Sequence, residues 1–331
     1  MTINILLLIL GIVIVLKGAD WLTDGAVAIA SRFGVSQMVI GLTIVAMGTS
    51  MPEFCVSMVS ALKGTADLAV GNVVGSNIFN TLLIVGCSAL VAPIAVSPSS
   101  VRRDMPFAVA ASLLMLLFCL DGTIGRLDAA VLFAGFCLFM FVTLKHAKTT
   151  KAKTTNAETT NAETTATGAG QEAASPKPES TSLAVLKAAA LLAVGLLCLI
   201  FGSNLFVDNA SMVASRLGVS DAVIGLTIVA GGTSMPELAT SMVSARKGNS
   251  DIAIGNVIGS NVFNILMIVG ITGLVSPMRI AGITPLDLAV LTGSVLLLWL
   301  FSRTTYRVKR WEGCVLALSY LSYLGWLIAN L

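Results

Sequence analysis

A long internal duplication inside apolar sequence constrains the fold of this chain more than any other feature. Residues 39–86 align with residues 223–270 without a gap, at a constant offset of 184, and 35 of the 48 positions are identical. Each copy contains Gly-Thr-Ser-Met-Pro-Glu, ending at Glu53 or Glu237, and later Gly-Asn-Val-x-Gly-Ser-Asn. Identity over such a length indicates one unit used twice, so we expect a fold built from two similar halves.

The apolar segments around the two copies are those of a membrane protein. Hydrophobic residues make up 56% of the 331-residue chain and charged residues 11%, with a mean hydropathy of +0.92, which is typical of polytopic helical membrane proteins. Residues 3–32 have no basic n-region and align with residues 187–216 deep inside the chain, so we expect a permanent span rather than a signal peptide. Ten apolar segments are long enough to cross about 30 Å of hydrocarbon, and they lie at about 3–32, 37–61, 68–95, 106–121, 127–144, 183–215, 221–245, 252–277, 284–301 and 312–330.

Five spans in each half determine how the halves are arranged. Residues 1–147 form the first predicted five-helix repeat and residues 183–331 the second, joined by a low-complexity hydrophilic linker, 148–182, that we expect to be disordered. Because five is odd, two copies in one chain insert upside down relative to each other. The predicted fold is an all-α polytopic membrane protein with ten transmembrane helices in two inverted five-helix repeats, an arrangement typical of secondary transporters.

The distribution of lysine and arginine predicts the orientation. Loops after odd-numbered spans carry 14 basic residues and loops after even-numbered spans carry 4. The positive-inside rule therefore puts the linker in the cytoplasm and both termini outside, for a multi-pass protein of the plasma (inner) membrane. The basic residues are scattered in short loops, so no nucleic-acid partner is expected. No obligatory protein partner is evident either, which leaves the lipid bilayer as the expected surrounding.

The first repeated motif places a proline and a glutamate in the middle of an apolar span of each half. Pro52 and Pro236 have no N–H and clash with the carbonyl four residues earlier, so each helix should break near the midplane. Such a break frees carbonyls around Ala46–Thr49 and Ala230–Thr233, which lipid would not tolerate but a bound cation would satisfy. A carboxylate at this depth is costly unless it is paired, hydrated or holding a cation, so the motif predicts a functional site.

The glycine-rich second motif lies inside a later span of each half. Its glycines predict a second broken helix per repeat, while small residues also mark close packing between helices. Packing alone does not explain a buried glutamate beside serine, threonine and asparagine in both copies.

The candidate ligands are all oxygen atoms. Bidentate Glu53 and Glu237, two threonine carbonyls and water would complete the roughly six to eight ligands of Ca²⁺, and two carboxylates balance its charge. Hydroxyls are neutral ligands of the kind that suit Na⁺, and they come from Ser50, Ser76, Ser234 and Ser260. No histidine or cysteine accompanies the set, which argues against zinc, copper or iron. The expected ligands are therefore transported Ca²⁺ and Na⁺, and no cofactor is indicated.

Three charged residues lie on one face of the first span. Lys17, Asp20 and Asp24 are spaced by three and four residues, and we expect them to neutralise one another beside protein or a cavity. The second copy has Phe201 and Asn204 at the first two positions. This Lys–Asp pair is therefore not part of the duplicated machinery.

The paired motifs closely resemble those of the cation/calcium exchanger family, in its sodium/calcium exchanger branch of prokaryotic type. The resemblance covers the whole chain apart from the linker. It implies that Glu53 and Glu237 surround Ca²⁺ together with the carbonyls of Thr49 and Thr233. It implies that the first and sixth helices slide across the rest during alternating access. It also implies Na⁺ sites built from two equivalent groups, which are Ala46, Thr49, Ser50 and Ser76, and Ala230, Thr233, Ser234 and Ser260.

Asn80 and Asn264 bear on the coupling ion. Some relatives carry an aspartate at this position in one repeat, and the potassium-dependent branch has an acid there, so two amides disfavour K⁺ co-transport. The proton-coupled branch has a different acidic motif and also fits poorly. The leading hypothesis is an antiporter exchanging Na⁺ for Ca²⁺, with coupling to H⁺ or K⁺ as the alternative and a cation channel as another class. An enzyme is not expected, because the site offers no nucleophile, histidine or second metal set.

Overall fold

Helices make up nearly all of the computed structural model, which describes residues 1–164, 181–218, 228 and 230–329. Several of them contain π turns, in which the backbone widens without a gap in the helix. In chain order they are α1 Thr2–Phe33, α2 Gln37–Thr49, α3 Met51–Leu62, α4 Ala66–Val91, α5 Met105–Cys119, α6 Arg126–Thr164, α7 Thr181–Arg216, α8 Ala230–Thr233, α9 Met235–Arg246, α10 Ser250–Val275, α11 Pro285–Thr305 and α12 Arg310–Ala329.

Most of the predicted spans appear as single long helices. Seven of the described helices are long and apolar enough to cross a membrane, and the bent pair α2–α3 makes an eighth. Helix α5 has 15 residues and follows a π turn at Ser100–Asp104. The predicted span at 221–245 lies partly outside the described residues. The chain is thus an all-helical membrane protein with at least seven apolar helices.

The linker differs in part from the prediction. Helix α6 continues to Thr164, so 148–164 is helical where the sequence predicts disorder. The physical reason is that adding residues to an existing helix is far easier than starting one, so the helix extends even though nine of these 17 residues are threonine or asparagine, which favour helix weakly. Residues 165–180, the rest of the predicted disordered segment before α7, lie outside the described residues.

Helices α1 and α7, which are equivalent under the 184-residue offset, pack against each other in opposite directions. A Cβ on Gly11 would lie 2.9 Å from the carbonyl oxygen of Gly202, and a Cβ on Gly18 would lie 2.8 Å from that of Gly195. Glycines at the contact let the two backbones approach closely. Because the contact residues rise along α1 and fall along α7, these two equivalent helices are antiparallel.

Two short strand pairs join loops from different halves. Strand β1 (Ile94–Ala95) pairs with β4 (Arg307–Val308), and β2 (Thr123–Ile124) pairs with β3 (Met278–Arg279). By the same offset, β3 is the equivalent of β1 and β4 is the equivalent of β2. Strand β1 therefore pairs with the equivalent of β2, and β2 pairs with the equivalent of β1. This exchanged pairing is consistent with a two-fold relation between the halves.

The core lies around α4 and α10. In their most apolar windows 78% and 94% of the residues are buried, against 28% for α1 and 17% for α7. The bent helices α2–α3 and α8–α9 pack against this centre. The repeated motifs, which lie on these four elements, are consequently in the interior of the molecule.

Candidate functional site

The first repeated motif interrupts a helix, as its proline predicts. Helix α2 ends at Thr49 and α3 begins at Met51, and the two axes differ by 46°. Ser50 between them has φ −83° and ψ 8°, and Pro52 lies in the first turn of α3. In the second copy Ser234 has nearly the same backbone angles, φ −90° and ψ 8°. Both copies of the motif thus start a new helix just before their glutamate.

The second repeated motif does not break its helix, so the prediction of a second break per repeat is wrong. Helices α4 and α10 each run for 26 residues, with π turns at Phe79–Ile84 and Phe263–Val269. A π turn widens the helix while keeping its backbone hydrogen bonds, so few carbonyls are freed. At Gly259 the glycine serves packing instead, because a Cβ there would lie 2.6 Å from the Leu42 carbonyl oxygen.

The two motif glutamates meet at the centre of the molecule. Glu53 and Glu237 are both fully buried. Ser50 donates a hydrogen bond to Oε1 of Glu237, and Ser234 donates one to Oε1 of Glu53, each at 2.9 Å. The two carboxylates are also close enough to interact electrostatically. Each half therefore supplies the hydroxyl that binds the carboxylate of the other half.

These carboxylates lack compensation by protein groups. Oε2 of Glu53 and Oε2 of Glu237 have no hydrogen-bond partner among the described residues. Within the same residues, the ion pairs are those of Arg103 with Asp104 and of Lys247 with two aspartates of α1, so neither glutamate has a basic partner. Burying an unpaired carboxylate costs several kcal/mol or more. A cation between the two carboxylates would offset this cost.

Several other predicted ligands are buried polar atoms without hydrogen-bond partners. Such atoms are uncommon in folded proteins, and they also occur outside the two motifs, at Ser88, Ser203 and Ser302. The predicted ligands among them, in the described part of the chain, are the hydroxyls of Ser76 and Ser260, both amide atoms of Asn80, and the amide oxygen of Asn264.

The predicted threonine and alanine ligands do not all have the free carbonyls that the helix break was expected to provide. Thr49 is buried and its hydroxyl donates to the amide oxygen of Asn256 at 3.2 Å. The Ala46 carbonyl is not freed by the break, because it accepts from the Ser50 amide at 3.0 Å. The expectation of a free carbonyl at Ala46 is therefore wrong, since the last turn of α2 stays hydrogen-bonded. In the second half, Ala230 and Thr233 begin and end α8, directly before the break.

Two asparagines that the sequence analysis missed hold the glutamates in place. The Asn72 side-chain amide donates to the main-chain carbonyl of Glu53 at 3.1 Å and to the Ser57 hydroxyl at 3.0 Å. Asn256 repeats the arrangement, donating to the Glu237 carbonyl at 3.4 Å and to the serine one turn later at 3.1 Å. The signal was present, because this asparagine is the second residue of Gly-Asn-Val-x-Gly-Ser-Asn in both copies.

A second pair of asparagines connects α4 with α10. Asn261 donates to the Thr81 hydroxyl at 2.7 Å, and Asn264 donates to the side-chain oxygen of Asn77 at 3.5 Å. All four residues are buried. The two helices that carry the second motif are thus joined by polar contacts directly beside the site.

The charged residues of α1 do not neutralise one another as expected. Asp20 and Asp24 instead pair with Lys247, at 2.5 and 2.7 Å, at the end of α9, and nearby Thr23 and Ser244 share a buried hydrogen bond of 3.0 Å. Burial opposes the charged form of Lys247, but the hydrogen bonds to the two aspartates outweigh it and raise its pKa above the usual value. These contacts attach α1 to the other half of the molecule.

Comparison with known proteins agrees with this geometry. Residues 3–145 and 187–329 match the family described as sodium/calcium exchanger protein. The chain is 38% identical to a protein named CaxA from Alkalimonas amylolytica and 34% identical to the sodium/calcium exchanger MaX1 of Methanosarcina acetivorans, in each case over 98% of both chains.

A solved structure is similar over the same extent. It is that of the sodium-calcium exchanger NCX_Mj soaked with Na⁺ and Sr²⁺, with a TM-score of 0.81, 29% identity and 97% of each chain covered. The family match extends over both repeats and omits only the linker and the chain ends. The chain therefore belongs to the sodium/calcium exchanger family, in its prokaryotic branch.

Proposed function

We propose that the chain is a secondary active antiporter that exchanges Na⁺ for Ca²⁺, with Ca²⁺ held between Glu53 and Glu237. The observation that carries the proposal is the pair of buried carboxylates without a basic partner, each with an unpartnered oxygen. A divalent cation between them balances both charges and accepts both free oxygens as ligands. The names of MaX1 and NCX_Mj, both called sodium/calcium exchangers, support the same choice of ions.

Competition between the two ions follows from shared ligands. Na⁺ bound by the hydroxyls of Ser76 or Ser260 and by a neighbouring glutamate would use an oxygen that Ca²⁺ also needs. Because one Na⁺ balances only one carboxylate, several Na⁺ ions are required to replace one Ca²⁺ without leaving buried charge. Exchange, rather than joint transport, is the result when the two ions cannot occupy the site together.

Alternating access in this proposal rests on inverted repeats. The antiparallel packing of α1 and α7 supports inversion, since equivalent spans of parallel repeats would run in the same direction. The strand pairs support it too. β1 follows the third predicted span of the first half, and β4 follows the ninth predicted span, which is the fourth of the second half. These two loops lie on the same side of the membrane only if the halves are inverted. Ten spans in two inverted sets would let the two broken helices α2–α3 and α8–α9 exchange roles between outward-open and inward-open states.

The proposed orientation has both termini outside and the linker in the cytoplasm. It rests on the excess of lysine and arginine in loops after odd-numbered spans. The β1–β4 pair joins two such loops, and the β2–β3 pair joins two of the opposite set. We assign the protein to the plasma (inner) membrane on the same grounds.

Flux measurements in proteoliposomes test the exchange. Vesicles loaded with Na⁺ and diluted into Na⁺-free medium should take up radioactive Ca²⁺, and vesicles loaded with choline should not. Uptake that needs a K⁺ gradient or a pH gradient instead would select the alternative coupling ions. Ca²⁺ flux that is independent of any counter-ion, with single-channel conductance, would select the channel and overturn the proposal.

A further inference from the structure

A basic pocket lies where the π turn before α5 meets the end of α11, and no residue of the carboxylate site lines it. Its volume is about 330 Å³, and its lining consists of Val101, Arg102, Pro106, Trp299, Arg303 and Tyr306. The indole N–H of Trp299 donates to the Val101 carbonyl at 2.8 Å, which joins the two walls. The cavity is therefore a feature of packed helices and not of a loose loop.

Two arginines in this pocket have no acidic partner. Both Arg102 and Arg303 are exposed, and no carboxylate lies within ion-pair distance of either one in the described parts of the chain. The nearest acid in sequence, Asp104, is occupied by Arg103 at 2.6 Å. Two guanidinium groups facing one cavity present paired donors with the geometry that phosphate oxygens accept.

The basic and aromatic side chains of the pocket have no counterparts in the other copy of the duplicated unit. At the equivalent positions, 184 residues away, Leu286 stands for Arg102, Cys119 for Arg303 and Gly122 for Tyr306. The carboxylate site, in contrast, is the same in both copies. The arginines are consequently not required by the machinery that the halves share.

The surroundings of the pocket are those of a membrane interface. Tyr306 has φ 50°, which ends α11, and its carbonyl accepts from the Val96 amide at 2.9 Å beside the β1–β4 pair. Trp311, at the start of α12, is 58% exposed. Tryptophan and tyrosine concentrate at the level of lipid headgroups. Further basic residues follow the pocket in sequence, at Arg307, Lys309 and Arg310.

We propose that this pocket binds the phosphate of an anionic phospholipid headgroup, in the leaflet on the face assigned to the cytoplasm. Arg102 and Arg303 hold the phosphate oxygens, and the half-buried Pro106 contacts the apolar part of the same lipid. The apolar wall favours a lipid over free phosphate, which has no group to place against it. Basic pockets between transmembrane helices on this side are suited to such headgroups.

Lipid titration followed by native mass spectrometry tests the site on the full chain. The probes are phosphatidylglycerol and phosphatidylcholine, which differ in headgroup charge. Arg102→Gln with Arg303→Gln should weaken phosphatidylglycerol binding about thirtyfold and leave phosphatidylcholine binding unchanged. Arg102→Lys with Arg303→Lys keeps the charge but loses the paired guanidinium donors, so its affinity should lie between that of the parent and that of the glutamine variant, and it guards against a folding defect in the latter.

The matched control is Arg126→Gln with Arg279→Gln, two exposed arginines near the β2–β3 pair. It removes the same charge from the opposite face and should leave phosphatidylglycerol binding unchanged. An equal loss in this control would mean that net charge and not the pocket attracts the lipid. Equal binding of the two lipids by the parent protein would also overturn the proposal. So would complete displacement of phosphatidylglycerol by an equal concentration of inorganic phosphate, because the site would then be one for free phosphate.

Discussion

At the scale of single residues, each site glutamate is bound by a serine of the other half. Ser50 precedes Glu53 by three residues but donates to Glu237, and Ser234 donates to Glu53. Each broken helix thus contributes one carboxylate and one hydroxyl to a shared centre. In the proposed mechanism, a movement of one broken helix relative to the other would break both serine–glutamate bonds and so would couple ion binding to the arrangement of the halves.

Replacing Asn72 tests whether a residue that positions Glu53, and is not itself an ion ligand, affects Ca²⁺ transport. Asn72→Ala removes a half-buried hydrogen bond to the Glu53 carbonyl, so the KM for Ca²⁺ should rise about tenfold while the maximal exchange rate stays within about twofold. The matched control is Asn209→Ala, which removes a buried asparagine that donates to a backbone carbonyl of α7, away from the site. Equal KM changes in both variants, in Na⁺-loaded proteoliposomes, would show only general destabilisation.

The amide at Asn80 should influence which monovalent ion is coupled. Asn80→Asp adds a third carboxylate beside Glu53 and Glu237, so an additional monovalent cation is needed for charge balance. We expect the Na⁺ or K⁺ dependence of exchange to shift while Ca²⁺ binding is retained. A titration of Na⁺ and K⁺ that leaves Asn80→Asp indistinguishable from the parent would make this amide purely structural.

At the scale of elements, local chemistry was predictable and packing was not. The break after Thr49 follows from a proline and its missing N–H, which act within one turn, and the sequence predicted it. The glycines of α4 and α10 did not mark a break. At Gly259, for example, the missing side chain allows the backbone of α2 to pack closely against α10. The partner of Asp20 and Asp24 was also missed. Lys247 is more than 200 residues away in sequence, and only the fold brings it there.

The ion pairs between α1 and the end of α9 are not repeated in the other half. The counterpart of Asp20 is Asn204, and the charged counterparts Asp208 and Lys63 form no ion pair among the residues described. If α1 slides as in the proposed mechanism, opening these pairs would cost free energy, and they would favour the state in which they are closed.

Lys247→Gln should loosen the C-terminal half of α1. Exposed ion pairs contribute up to about 1 kcal/mol each, so hydrogen exchange around residues 20–32 should accelerate about two- to tenfold. Lys63→Gln is the control and should not change that segment. Raising the ionic strength with choline chloride, which adds no Na⁺, should remove the difference between parent and Lys247→Gln. A difference that persists unchanged in high salt would exclude an electrostatic origin.

At the scale of the whole molecule, the duplication predicted two similar halves. What the sequence could not provide is how the halves meet, because crossed serine–glutamate bonds and exchanged strand pairs depend on the relative placement of segments 184 residues apart. The composition likewise predicted membrane spans, while the helical part of the linker depended on α6 continuing past its apolar segment.

Inversion of the halves predicts opposite sides for equivalent loops. In a background without the six native cysteines, Lys63→Cys should react with an impermeant thiol reagent in intact cells. Arg246→Cys should react only after permeabilisation. Arg246 is chosen because its neighbour Lys247 is engaged with α1. Reaction of both positions from the same side would mean parallel repeats, and the alternating-access account would fall.

Equilibrium Ca²⁺ binding to the purified protein tests most directly the claim that two buried carboxylates hold the ion. The parent should bind Ca²⁺ and release it as Na⁺ is added, and Glu53→Gln and Glu237→Gln should each abolish binding, because an amide removes half of the compensating charge. Asp121→Asn, at an exposed carboxylate of the loop after α5, should bind like the parent. Ca²⁺ binding that survives in the folded double variant Glu53→Gln with Glu237→Gln would contradict the account.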